Sequence, residues 1–190
     1  DHGEDEHGFL LYREALHVPL IVKLPGGRRA GERVRRSVGL TDVLPTIAEL
    51  THVTPPEGLP GRSLLAEAAD TQRPVYSETF ATFIHFGWSE LLSAVGDRFH
   101  YIEGPAPELF DLDADPGETT NLIARERRAG ADLRAFLEPF PRQLEAPEEA
   151  DPETLAKLGA LGYLSGAAAP PAVGPRKNPR DELPRMSKVL

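Results

Sequence analysis

The chain has no cysteine in its 190 residues. That excludes disulfide cross-links, thiolate metal sites and a cysteine nucleophile supplied by these residues. Positive charge is also scarce: 21 lysines and arginines stand against 30 aspartates and glutamates, a net charge of −9 at pH 7. No basic stripe with interleaved aromatics offers a surface to a phosphate backbone, so nucleic acid is not an expected partner. Arg28, Arg29, Arg33, Arg35 and Arg36 do cluster, but around a Gly-rich turn without aromatics, the pattern of a solvated loop. Long apolar runs are missing as well. Nothing approaches the roughly 20 apolar residues of a membrane-spanning helix, and the acidic first residues show no signal-peptide pattern.

What is present suffices for one sizeable core or two small ones: 40% of the residues are hydrophobic and 27% are charged, a globular balance. The chain opens DHGEDEHG, a dense set of groups able to hold metals or anions. Asp and neutral His supply oxygen and nitrogen ligands to divalent ions, and Gly3 lets the backbone turn tightly beside them. The triplet alone is weak evidence, because Asp, His and Gly also make ordinary turns. Glu4, Asp5 and Glu6 read as a solvated loop.

Farther along, VPLIVKLPG places a short apolar run at residues 18–24 before a proline-glycine turn, which predicts a strand buried on both faces. TDVLPTIAEL has helical spacing, with Thr41 or Asp42 as N-cap and Pro45 in the first turn. PVYSETF predicts a strand, and LLSAVGDRFHYIEG a hairpin about Gly96-Asp97. ELFDL is a further short strand, followed by the turn-rich DADPGETTNL. Residues 125–137 carry an amphipathic helix, and residues 154–161 a last helical patch. GAAAPPAVGPRKNPRDELP reads as a flexible linker.

The order of these pieces, from the DHG and HG motifs through VPLIV, TDVLPTIAEL, GLPGRSL, VYSET, HYI and ELFDLDADPGETTNL, resembles the C-terminal portion of the sulfatase family. That family belongs to the alkaline phosphatase-like superfamily of metal-dependent hydrolases. The resemblance implies an α/β fold: the C-terminal part of an alkaline phosphatase-like α/β/α sandwich followed by a small antiparallel sheet with helices. Residues 1–70 would close the α/β core, 71–140 would form the antiparallel β subdomain with its helix, and 141–190 a helical patch and a Pro/Gly/Ala-rich tail.

By the same resemblance, Asp1 and His2 fall on the ligands of a divalent metal, calcium in most sulfatases, and His7 on a contact to the sulfate group. The DHG-to-HG spacing is shorter here than in many relatives. The formylglycine nucleophile and the remaining metal ligands are expected upstream, so the intact protein would be a sulfuric ester hydrolase and this chain inactive alone. The substrate would be a sulfated small molecule or a sulfated glycan. Two other readings stay open at this stage. One is a phosphodiester or phosphonate hydrolase or a phosphotransferase of the same superfamily; the other is a non-catalytic binding module on that scaffold. Outside the motif, His17 and Lys23 read as solvated or orienting, and His85 among Phe83, Phe86 and Trp88 as pocket-shaping or packing. His100 reads as structural, and the acidic run Asp111, Asp113, Asp115 and Glu118 as turn chemistry more than an ion site.

Overall fold

Four short strands bury apolar side chains on both faces, and that demand organises the molecule. A computed structural model describes residues 2–4, 8–65, 73–143 and 175–186. Strands β1 (Val75–Thr79), β2 (Leu91–Val95), β3 (Phe99–Glu103) and β4 (Glu108–Asp111) form one antiparallel sheet in the order β1-β2-β3-β4. The expected hairpin lies between β2 and β3, with Val95 opposite His100 and the Gly96 amide donating to the Phe99 carbonyl at 2.8 Å. Tyr101 and Ile102 then pair with Leu109 and Glu108 of β4.

Alternation along these strands sorts the side chains into two layers. Leu92, Ala94, Tyr101 and Leu109 form one cluster with Leu133 and Leu137 of the helix α4 (Arg127–Leu137). Leu91, Ile102 and Phe110 face the other way, against Leu10, Leu11, Tyr12 and Trp88, the last just after the helix α3 (Ala81–Phe86) that joins β1 to β2. Leu109 and Leu137 are wholly buried, and each contributes about 1.5–3 kcal/mol by leaving water. Helix α4 comes close to the turn before it because residue 130 is glycine: a Cβ there would sit 2.8 Å from Ile123 Cδ1.

The N-terminal segment thus packs on the sheet. After residues 10–12 the chain makes one short helix, α1 (Arg13–Leu16). The Tyr12 hydroxyl donates to Glu108 Oε2 at 2.8 Å, and the Arg180 guanidinium pairs with the other oxygen of that carboxylate. Burial, then the Glu108 charge, pushes the Tyr12 hydroxyl far above the usual tyrosine range. Arg180 belongs to a helix within the segment expected to be a flexible linker. Helix α5 (Pro179–Met186) starts at a proline after Asn178, whose side-chain oxygen accepts the Arg180 amide at 3.2 Å. Its Leu183 joins the cluster of Leu10 and Leu11. Pro-rich composition concealed the helix because Pro179 occupies a first-turn position, where its missing N–H costs nothing. Residues 166–174 of that linker and the helical patch at 154–161 lie outside the described residues.

A second correction concerns residues 18–24, which form no strand. Val18, Leu20, Ile21 and Val22 are exposed, Ile21 by 91%. An apolar run becomes a strand only when a neighbour takes up its N–H and C=O groups, and among the described residues no strand pairs with this run. The only strands described therefore belong to residues 71–140, and the described part of residues 1–70 contributes helices and turns.

Helix α2 (Val43–Thr51) forms where its spacing predicts, yet Leu44 and Ile47 stay half exposed while Thr46 and Ala48 are buried. Polar contacts decide its orientation. Asp42 Oδ1 accepts the Arg62 amide at 2.9 Å and Arg73 Nη2 at 2.6 Å, and Oδ2 accepts the Gly39 amide at 3.0 Å. Thr46 Oγ1 accepts the Leu64 amide at 2.9 Å. The loop can approach this closely because residue 61 is glycine: a Cβ there would fall 1.8 Å from the Thr41 carbonyl oxygen. No helix among the described residues is long and apolar enough to cross a membrane.

Two outcomes test these contacts. Tyr12→Phe removes one donor to a buried carboxylate that Arg180 still holds, so denaturant titration should show a loss of about 1–2 kcal/mol. Asp42 gives a pH signature. Burial alone would raise its carboxyl, but the Arg62 and Gly39 amides and the Arg73 guanidinium outweigh burial and hold it below the ordinary aspartate value. A depressed folded value means the stabilisation is full above the unfolded aspartate value and is lost as pH falls through the folded one. Thermal melts should therefore show the gap between wild type and Asp42→Asn narrowing as pH drops below that range. A gap that does not change with pH would remove the assigned role.

Candidate functional site

Of the three residues expected to carry the chemistry, His2 lies among the described residues, and Asp1 and His7 lie outside them. His2 sits in a dense polar cluster. Its Nδ1 is 2.6 Å from Glu14 Oε1 on α1, and its backbone N–H donates to the same oxygen at 3.1 Å. Its Nε2 is 3.0 Å from the carbonyl oxygen of Glu118. The ring stacks on Tyr12, with centroids 3.5 Å apart and planes 10° from parallel. Burial works against the Glu14 carboxylate, but its bonds from His2 prevail and hold it below the usual glutamate value.

Glu118 joins the remaining parts. It lies in the turn after β4 with φ at +53°, a conformation that costs a non-glycine residue. One carboxylate oxygen meets His100 Nδ1 on β3 at 2.5 Å, and the other accepts the Arg13 amide at 2.6 Å. That second bond satisfies one of the unpaired N–H groups at the start of α1, which has no cap of its own. His100 and Glu118 are each about 1% exposed, so the structural role expected for His100 holds. Its Nε2 has no hydrogen-bond partner among the described residues.

The loop between the motifs is tied at both described ends. Glu4 Oε1 accepts the Phe9 amide at 2.7 Å, so Glu4 is half-buried and engaged, not solvated. The Gly8 carbonyl accepts Thr79 Oγ1 at 2.5 Å. Phe9 then meets Phe86 at 5.5 Å and the His85 ring edge-on at 6.3 Å, the packing alternative for those aromatics. His17 and Lys23 are exposed. In the acidic run two carboxylates serve the turn: Asp111 takes Arg98 and the amides of Asp113 and Ala114, and Asp115 takes the amides of Thr119 and Thr120. The Glu118 carboxylate, expected there as turn chemistry, is instead taken up by His100 and the Arg13 amide.

The fit to a metal can be tested on these contacts. Among the described residues no group of three or more His, Asp or Glu side chains is placed to hold an ion. Both partners of the His2 ring are acceptors, a carboxylate oxygen and a carbonyl oxygen. A neutral imidazole donates from one ring nitrogen and keeps a lone pair on the other. A carboxylate at one ring nitrogen is the partner that orients a metal-ligating imidazole, and Glu14 stands in that position toward His2 Nδ1. Sequence reasoning missed Glu14 and Glu118 because their partner lies 12 and 116 residues away. One signal was available: a histidine inside the apolar strand FHYIE needs a buried acceptor.

Comparison with known proteins matches residues 5–138 to the family model described as N-sulphoglucosamine sulphohydrolase, C-terminal. Arylsulfatase K of Gallus gallus is 33% identical over 144 residues, covering 66% of this chain and 27% of that protein. Arylsulfatase K of Homo sapiens is 30% identical over the same length and coverage. The solved phosphonate monoester hydrolase of Agrobacterium radiobacter is 26% identical with a TM-score of 0.44, over 72% of this chain and 27% of that one. The chain thus spans about a quarter of the length of the curated relatives it matches. With the family model covering well over half of its residues, the chain belongs to the sulfatase family, as a C-terminal portion.

Proposed function

We propose that the intact protein hydrolyses sulfuric esters and that this chain forms its C-terminal portion, with sulfated small molecules or sulfated glycans as the substrate class. The observation that carries this reading is the family match over residues 5–138, to which the arylsulfatase relatives add support. Within the reading, a formylglycine nucleophile and the main shell of a divalent ion, calcium by family resemblance, come from parts of the protein other than these residues. Asp1 and His2 are the ligands this chain would add, and His7 the contact to the sulfate.

The described residues have a supporting part in that chemistry. Glu4, Thr79 and Phe9 hold the two ends of the loop that carries His7. His2, Glu14 and Glu118 fasten the start of the chain to α1 and to the sheet. A loop anchored on rigid elements keeps a charged contact near its working geometry, and a displacement of about 1 Å can cost 100-fold in rate.

The test compares the intact protein with the isolated 190-residue chain on an aryl sulfate and on an aryl phosphonate ester, each with calcium. Turnover of the sulfate by the intact protein and none by the isolated chain is the expected result. Turnover of the phosphonate alone would move the protein to the phosphohydrolase branch, and sulfate turnover by the isolated chain would remove the division of labour.

A further inference from the structure

We propose that residues 175–186 form a strap that positions the start of the chain, with Arg180 as a positioning residue that acts on His2 through Glu108 and Tyr12. The strap lies beyond the family match, which ends at residue 138, and its effect rests on the proposed function only for the task that His2 performs.

One end of the strap is fixed independently of the segment it holds. The Lys177 carbonyl accepts the Ser89 amide at 3.0 Å. Arg176 pairs with Glu90, and its guanidinium lies over the Phe83 ring, 4.4 Å from the centroid. These contacts tie the strap to α3 and to the entry of β2. Asn178 then starts α5 by accepting the Arg180 amide on its side chain and the Asp181 amide on its carbonyl, at 3.2 and 3.1 Å. The other end meets the start of the chain at three levels. Pro184 Cγ stands 3.7 Å from where a Cβ on Gly3 would be, one residue past His2. Leu183 is buried with Leu10, Leu11 and Trp88. Arg180 takes one oxygen of the Glu108 carboxylate while the Tyr12 hydroxyl donates to the other at 2.8 Å. Glu108 is 5% exposed, and a carboxylate so buried needs an opposite charge as well as a hydrogen bond. With Arg180 in place, Glu108 holds Tyr12, and the Tyr12 ring is the surface on which the His2 imidazole stacks, 3.5 Å between centroids. The core on the opposite face of the sheet, from Leu92 to Leu137, includes no residue of the strap. Loosening the strap therefore acts on residues 2–12 and leaves that core and its strands closed.

The experiment uses the intact protein as wild type, Arg180→Ala, Arg180→Lys and Leu133→Ala, the last a control that softens the opposite core. Calcium affinity is measured by titration and Tm in chelator. Hydrogen exchange is followed at the Phe9 and Arg13 amides and at those paired between β2 and β3. Arg180→Ala should weaken calcium binding about 3- to 10-fold. It should also speed exchange at Phe9 and Arg13 while the β2–β3 amides keep their protection. Arg180→Lys returns a charged donor to Glu108 and should recover most of both losses. Leu133→Ala should lower Tm and leave calcium affinity unchanged. Wild-type calcium affinity in Arg180→Ala, whatever its Tm, would overturn the proposal, and so would an equal loss of affinity in Leu133→Ala. If the wild type binds no calcium, the metal part of the proposed function fails and exchange alone decides. Faster exchange confined to Phe9 and Arg13 then supports the strap, and unchanged or uniformly faster exchange overturns it. Should Arg180→Ala fail to fold, Leu183→Val trims the contact with Leu10 and Leu11 and is read by the same outcomes.

Discussion

A carboxylate sealed from water must have its oxygens matched, and Glu118 meets that demand by drawing three parts of the chain to one point. Its oxygens take the imidazole of His100 from β3 and the first amide of α1, and its carbonyl takes the ring of His2. An unmatched buried charge costs several kcal/mol, and removing one partner of such a group typically costs about 3–5 kcal/mol. The geometry is correspondingly narrow. Glu118 accepts a positive φ because the turn places its side chain and its carbonyl toward different partners. The N-terminal segment therefore lies on the sheet for polar as well as apolar reasons: Leu10 and Leu11 supply burial, and Glu118 fixes where that burial occurs.

That arrangement separates two tasks within the DHG neighbourhood. Residues whose contacts are described serve as anchors. His2 ties to α1 and to the turn after β4, Glu4 ties to Phe9, and Gly8 ties to β1. Under the proposed function such a segment has to be held firmly, because sulfate ester hydrolysis needs its charged contacts preorganised. Tyr12, Glu108 and Arg180 extend the same support outward to α5, so the end of the described chain steadies its beginning.

Much of this was legible in the residues. Strong alternation made β1 to β4 and their hairpin readable, and helical spacing gave α2 and α4, because in each case the burying partner is close in sequence or part of the same sheet. Residues 18–24 show the limit of that logic. The run VPLIVKL specifies apolar surface, but a strand also needs a neighbour's hydrogen bonds, and sequence pattern does not report whether one is available. Helix α5 failed for the opposite reason: its prolines and charges looked like linker, while one buried leucine and one arginine dock it. The site was legible as a cluster of chemistry-bearing residues. Its pairing was not, since His2, Glu14, His100 and Glu118 meet only after the fold brings distant segments together.

The central claim is that the Glu118 carboxylate, through the Arg13 amide, secures the N-terminal segment. Native-state hydrogen exchange at that single amide tests it most directly, measured in the wild-type chain and in Glu118→Ala. The account predicts slow exchange in the wild type and loss of protection in the variant. Exchange at the unprotected rate in the wild type, or equal protection in both proteins, would contradict it.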